Sequence, residues 1–214
     1  MKKKKLSENT PEKTMRKNRW LIRIFVVFLL FIGVIYYMAQ NQEGNYLLSV
    51  YLNQDELYKK GIDLSETGDF MYVGAHLESE KIPEQIVTTE SRIPGNLFET
   101  VEGSQPGKGY MAYSFYIRNA GHEDTGYQAS ISVNSLFRNA ESALRVKVWR
   151  NDQPVTCRME DKHNKRVYEF RQENFLQGYV DKYTIAIWLD EQDPDYRREM
   201  DDAKPQLVMN IDPV

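Results

Sequence analysis

Residues Trp20 to Ala39 read WLIRIFVVFLLFIGVIYYMA and follow a head loaded with lysine and arginine. Twenty residues in a helix rise roughly 30 Å, the thickness of a bilayer's hydrocarbon, and a run this apolar has few other stable environments. Its one charge is Arg23, near enough to the start for its long stem to snorkel toward headgroups. Ahead of it stand Lys2, Lys3, Lys4, Lys5, Lys13, Arg16, Lys17 and Arg19, against Glu8 and Glu12. By the positive-inside rule this asymmetry keeps the N-terminus in the cytoplasm and sends everything after Ala39 outside. Trp20 at one end, with Tyr36 and Tyr37 at the other, fits the two interfacial aromatic belts. The expectation is a single-pass transmembrane helix over 20–39 behind a basic cytoplasmic head over 1–19. A cleaved signal peptide has the same polarity, but its apolar region is shorter and ends in small-x-small residues. Cleavage after Ala39 would put Tyr37 where a small side chain belongs, so the segment reads as a retained signal-anchor and the protein as a cell-membrane protein.

The 175 residues from Gln40 to Val214 suffice for one well-cored domain. After Arg23 there are 19 basic residues against 29 acidic ones. A surface so acidic argues against nucleic acid and against anionic lipid or wall polymers. Cys157 is the single cysteine, so no internal disulfide forms, and its alternation with polar neighbours predicts a buried strand position. An extracytoplasmic domain without disulfides suits a bacterium better than a eukaryotic secretory route.

Residues 40–68 read as a juxtamembrane stalk or first strand, with Tyr46–Leu52 apolar and Asp55–Lys60 able to form a helical turn before Gly61. From Asp69 the hydrophobic period becomes two. Phe70, Tyr72 and Gly74 alternate with Met71 and Val73, and Met111, Tyr113, Phe115 and Ile117 alternate with Ala112, Ser114, Tyr116 and Arg118. Tyr127 to Val133, Leu144 to Val148, Tyr183 to Leu189 and Leu207 to Ile211 repeat the pattern, and turn residues such as Ile93-Pro94-Gly95-Asn96 lie between. Such spacing predicts an all-β fold over 69–214, an antiparallel β-sandwich of jelly-roll or immunoglobulin type. Short helices are expected over Ser135–Ala143 and Asp195–Ala203.

The three histidines, His76, His122 and His163, fall in no zinc-binding spacing. No Gly-x-Ser-x-Gly elbow or phosphate-binding loop occurs, and Gly103 to Gly109 reads as a turn. The richest cluster is Asp190-Glu191-Gln192-Asp193-Pro194-Asp195, with Asp201 and Asp202 beyond it. It reads first as a solvated loop at a helix N-terminus; calcium held by Asp190, Asp193 and Asp195 is the alternative. Trp149 and Trp188 occupy the wetter sides of their strands, where burial under a loop or second sheet competes with a carbohydrate platform. No catalytic residue and no cofactor is expected.

Tyr113-Ser-Phe-Tyr-Ile-Arg-Asn-Ala-Gly121 resembles the strand and turn of TasA/camelysin-like extracellular sandwiches of Gram-positive bacteria, and Tyr183 to Asp195 resembles the late strand and acidic loop of their membrane-anchored relatives. The resemblance covers roughly Asp69 to Ile211. It implies a jelly-roll-like domain used in biofilm matrix or surface assembly, with strand exchange in the fibre formers. The metalloprotease activity ascribed to camelysin is not carried over, because no zinc pattern matches. The sequence therefore predicts a non-enzymatic surface module that partners with the bilayer through its helix and with a protein or glycan outside. The alternative is a matrix-fibre subunit that self-associates by strand exchange, with Asn45–Leu52 as the donated strand.

Overall fold

A computed structural model describes residues 23–33, 46–80, 85–136, 139–159 and 165–214. The chain divides into two units, 1–44 and 45–214. In the first, residues 23–33 form a helix (α1) whose apolar side chains, Ile24 to Ile32, are all exposed. Among the described residues no helix is long and apolar enough to cross a membrane. Trp20, Tyr36 and Tyr37 lie outside the described residues, as do both ends of the predicted span; Arg23 is the first described residue of α1.

The second unit is mostly β, built as two sheets with few helical turns. Its strands in chain order are β1 (Leu48–Leu52), β2 (Ile62–Ser65), β3 (His76–Glu78), β4 (Val87–Thr88), β5 (Gly103–Gly107), β6 (Tyr110–Asn119), β7 (Thr125–Ser135), β8 (Leu144–Arg150), β9 (Gln153–Arg158), β10 (Arg166–Phe175), β11 (Val180–Asp190) and β12 (Gln206–Pro213). One sheet has the order β10-β7-β12-β1-β3; the other runs β2-β6-β11-β8-β9, with β5 added to β6 and β4 to β11. Period-two patterning explains the layering. Tyr127, Ala129, Ile131 and Val133 from β7, Leu207, Met209 and Ile211 from β12, and Tyr113, Phe115, Ile185 and Ile187 from the facing sheet meet in one buried core. Each of the valine, leucine, isoleucine, methionine and phenylalanine side chains contributes about 1.5–3 kcal/mol through removal from water.

The sheets are not purely antiparallel. β1 lies inside the first sheet, parallel to β12, with Leu48 opposite Leu207 and Leu52 opposite Ile211. Leu48, Val50 and Leu52 are buried, so residues 48–52, within the stretch expected to be stalk or first strand, are integral sheet. A π-helical turn, Gln54–Tyr58, follows, with Leu57 buried beneath it. Four other predicted elements differ, the first being Gly103–Gly107, read as part of a turn, which pairs with β6 as strand β5. Residues 139–143 make a turn and Ser135 ends β7, while Asn139 takes a left-handed φ of 53° that no helix accommodates (residues 137 and 138 lie outside the described set). The Asp195–Ala203 helix is reduced to one 3₁₀ turn, Arg198–Met200. There the Tyr196 hydroxyl donates to Asp201, and Arg197 donates to the carbonyls of Pro194 and Tyr196, which competes with helical bonding. Phe70 to Val73 is a loop and not a strand.

The Asn119-Ala120-Gly121 turn fastens the two sheets at one end of the sandwich. Buried Asn119 donates to the carbonyls of Glu123 and Phe175, both at 2.9 Å, and accepts the Gly121 N–H at 3.1 Å. Gly121 is needed for close approach, since a Cβ there would sit 2.0 Å from the Lys60 carbonyl oxygen.

Candidate functional site

Four places in the 45–214 unit gather polar, aromatic or strained groups. The first is the outer face of the second sheet, where the strand period sets Ala112, Trp149, Ala186 and Trp188 together. The chain from Ile93 to Val101, including the short helix α2 (Leu97–Thr100), lies across them, and Ile93, Leu97 and Val101 join the two indoles in a second buried cluster. Charged contacts edge this strap. Glu90 accepts from Thr156 at 2.6 Å and from Lys147 at 3.1 Å, Arg92 pairs with Glu191 at 2.8 Å, and Glu102 accepts from Tyr116 and Lys182. The Thr156 bond, with the Lys147 bond and charge, holds Glu90 below the usual carboxylate range against the cost of burial. Trp149 and Trp188 are thus covered by the loop, as one of the two sequence readings had it. Trp188 Nε1 and Thr88 Oγ1 are buried without a hydrogen-bond partner among the described residues.

The second is the acidic loop after β11. Arg145 lies within it, 3.7 Å from Asp190 and hydrogen-bonded to Asp193. Burial would raise Asp193, but the Asp195 N–H and the Arg145 guanidinium hold it lower. Asp190 also accepts the Gln192 N–H at 3.1 Å, and Asp195 is exposed. The carboxylates therefore cap backbone and neutralise an arginine. Among the described residues no group of three or more His, Cys, Asp or Glu side chains is arranged to hold a metal.

The third is a polar network between the sheets at the Asn119 end. Tyr127 from β7 donates to Asp181 from β11, and its Oη lies 3.0 Å from Tyr183 Oη. Asn151 also donates to Asp181, while Arg150 stands 3.4 Å away with its guanidinium 3.9 Å over the Phe170 ring. Burial, followed by the neighbouring Tyr183 and Asp181, pushes the Tyr127 hydroxyl far up; burial also raises Tyr183 well above its ordinary range, and pushes Tyr168 up to about 12. A carboxylate with three donors and two phenols that burial keeps protonated in the folded state is a cross-sheet fastener. Sequence reasoning missed it, because its members are far apart in the chain; the one signal was an aspartate, Asp181, in phase with the apolar face of β11.

The fourth is the loop from Glu66 to Val73. Asp69 accepts the Thr67 hydroxyl at 2.6 Å and the Met71 N–H at 3.1 Å, bonds that keep its carboxylate low. Phe70 has φ of 54°, a left-handed conformation costly for a bulky side chain. Its ring lies 4.1 Å over the Arg118 guanidinium and edge-on to Tyr116 at 6.2 Å. Met71 and Tyr72, at 73 % and 81 %, are the most exposed large apolar side chains among the described residues of this unit. Elsewhere, His76 stacks on Tyr51 at 4.3 Å and bonds Ser49 at 2.8 Å; His122 is exposed, and His163 lies outside the described residues. Cys157 is half-buried at the edge of the core on β9, less enclosed than its alternation predicted.

No family model matches the chain, and no curated protein does. Among solved structures it is similar to a β-glucosidase from Kluyveromyces marxianus in complex with glucose, at 10% identity and a TM-score of 0.31, over 77% of this chain and 18% of that one. A selenomethionine-labelled β-glucosidase from the same organism gives 12% identity and a TM-score of 0.29, over 69% and 17%. The chain thus spans less than a fifth of the length of those enzymes.

Proposed function

We propose that this chain is a membrane-anchored, extracellular binding module of a bacterial surface that recognises a partner without transforming it. The observation that carries this reading is the order of parts: a basic head, twenty apolar residues with a single arginine, then a compact two-sheet unit beginning at Asn45. The retained helix is the anchor, with Trp20, Tyr36 and Tyr37 at the two interfaces. The sandwich is jelly-roll-like and akin to the TasA/camelysin-like group, a kinship supported by the buried Asn119 and close-packed Gly121 of the shared motif. A binding role is supported by apolar side chains left uncovered at Met71 and Tyr72 while the outer tryptophans are sealed.

Fractionation and intact mass of the chain in its producing cells test this. Full-length protein in the membrane fraction, trimmed by external protease to the head and helix, is the expected result. A shortened chain released into the medium overturns the anchor.

A fibre subunit assembling by strand exchange is the second reading. It is favoured by β1, a short N-terminal strand slotted between β12 and β3 and joined onward by a single wide turn. The other edges weigh against it: Pro154 interrupts donors on β9, and β10 carries two register shifts and alternating charges. Deleting residues 40–52 abolishes oligomers under this reading; oligomers that persist remove it.

A further inference from the structure

We infer that the Asp69–Val73 loop, with Tyr179 and Val180, is the docking surface through which the module grips a segment of a protein partner that combines apolar with cationic side chains. The inference deepens the proposed binding role and rests on it.

The loop is built for display. Three consecutive apolar residues, Met71, Tyr72 and Val73, face solvent on a turn held by both Asp69 bonds and by the Phe70 ring over Arg118. Left-handed backbone at Phe70 is strain that the loop retains, and retained strain of this kind concentrates at functional sites. The pinned turn leaves little backbone freedom to lose on association, which lowers the entropic cost of binding.

The surface continues past the loop. Arg118 lies directly opposite Val180 in the β6–β11 pairing, so Phe70, Arg118 and Val180 share one face of the sheet. Val180 is exposed, as is Tyr179 beside it, whose carbonyl accepts the Asn119 N–H. Phenylalanine, tyrosine, methionine and arginine are the residue types enriched in the cores of protein interfaces.

Charge selects the occupant. Arg118 is neutralised by Asp63 at 2.7 Å and shielded by Phe70. Asp69 keeps its charge, exposed Asp124 caps the Gln177 N–H, and Lys182, two residues past Val180 on β11, is paired with Glu102 at 3.2 Å, so the excess charge of the rim is negative. A second copy would set two acidic rims against each other, and an anionic bilayer would be repelled; a cationic segment is complementary.

The test presents the full-length chain, in a mild non-ionic detergent, to a randomised peptide library. The expected result is enrichment of peptides that combine lysine or arginine with apolar residues. Those peptides bind the charge-neutral double variant Met71→Ser/Tyr72→Ser at least about tenfold more weakly, while its melting temperature is unchanged. Enriched peptides that bind wild type and variant equally, or that carry no cationic bias, overturn the docking surface and leave the anchored module standing. Absence of any enrichment counts against both the surface and the binding role. Self-association of the wild-type chain that the double variant abolishes overturns the choice of partner.

Discussion

The two apolar clusters of the sandwich are made of different material. Between the sheets, aliphatic and aromatic side chains from both layers interdigitate, and most contributors sit on strands. On the outside of the second sheet, two indoles are pressed beneath an irregular strap whose only regular element is the four-residue α2. The inner cluster depends on both sheets at once, whereas the outer one needs only a peptide laid over a finished surface. Burial alone therefore does not rank the regions by stability; what matters is whether a region can open without undoing the sheets.

Alkali should reveal the inner cluster most strongly. Burial pushes the hydroxyls of Tyr113, Tyr127 and Tyr183 above the ordinary range. Free tyrosine ionises near pH 10, so above that pH the unfolded chain binds fewer protons than the native one, and stability falls as pH rises. Tyrosinate absorbance from these rings is expected to appear together with loss of the β circular-dichroism signal. Ionisation that precedes unfolding would mean the inner core opens on its own.

Trp188→Ala comes next, at about 4 kcal/mol, because the ring belongs to central strand β11 although it points outward. Chemical denaturation should show one transition, moved as a whole. Leu97→Ala in the strap should cost less, about 2 kcal/mol. In hydrogen exchange, Val101 and its neighbours should exchange by local opening while β6 and β11 wait for global unfolding. Equal protection of strap and strands would erase the distinction between the clusters. Smallest is Glu90→Gln, whose partly exposed bonds to Lys147 and Thr156 are worth within about 0.5 kcal/mol. A larger shift in its denaturation midpoint would make the rim, and not the apolar contact, the strap's main hold.

The same division explains what the sequence revealed. β6, β7, β8, β11 and β12 announce themselves by alternation, because each turns one face to a common core. β10 does not: its register shifts break the period, and Arg166, Glu169, Arg171 and Glu173 give it the composition of a solvated segment. The strap was invisible for a further reason. Ile93, Leu97 and Val101 look like scattered apolar residues in a turn-rich stretch until the tryptophans they cover are placed on one face. β1 was ambiguous because a buried apolar pentapeptide does not say which strand it will join. The tyrosine network needed three-dimensional proximity between β7 and β11, which no local pattern encodes. The exposed loop was misjudged since Phe70 to Val73 alternates like a strand, and only the Asp69 turn and the Phe70 backbone show otherwise.

The pairing of β1 with β12 has a consequence for biogenesis. Leu48 and its partner Leu207 are as far apart in the chain as Asn53 and Asp212, 159 residues. A ribosome delivers β1 first and β12 last among the described strands. Until β12 emerges the first sheet lacks the strand that divides β7 from β1, so two adhesive edges stay open. Nascent chains are therefore exposed to mispairing until that point, and a stop before Gln206 leaves the first sheet without its dividing strand.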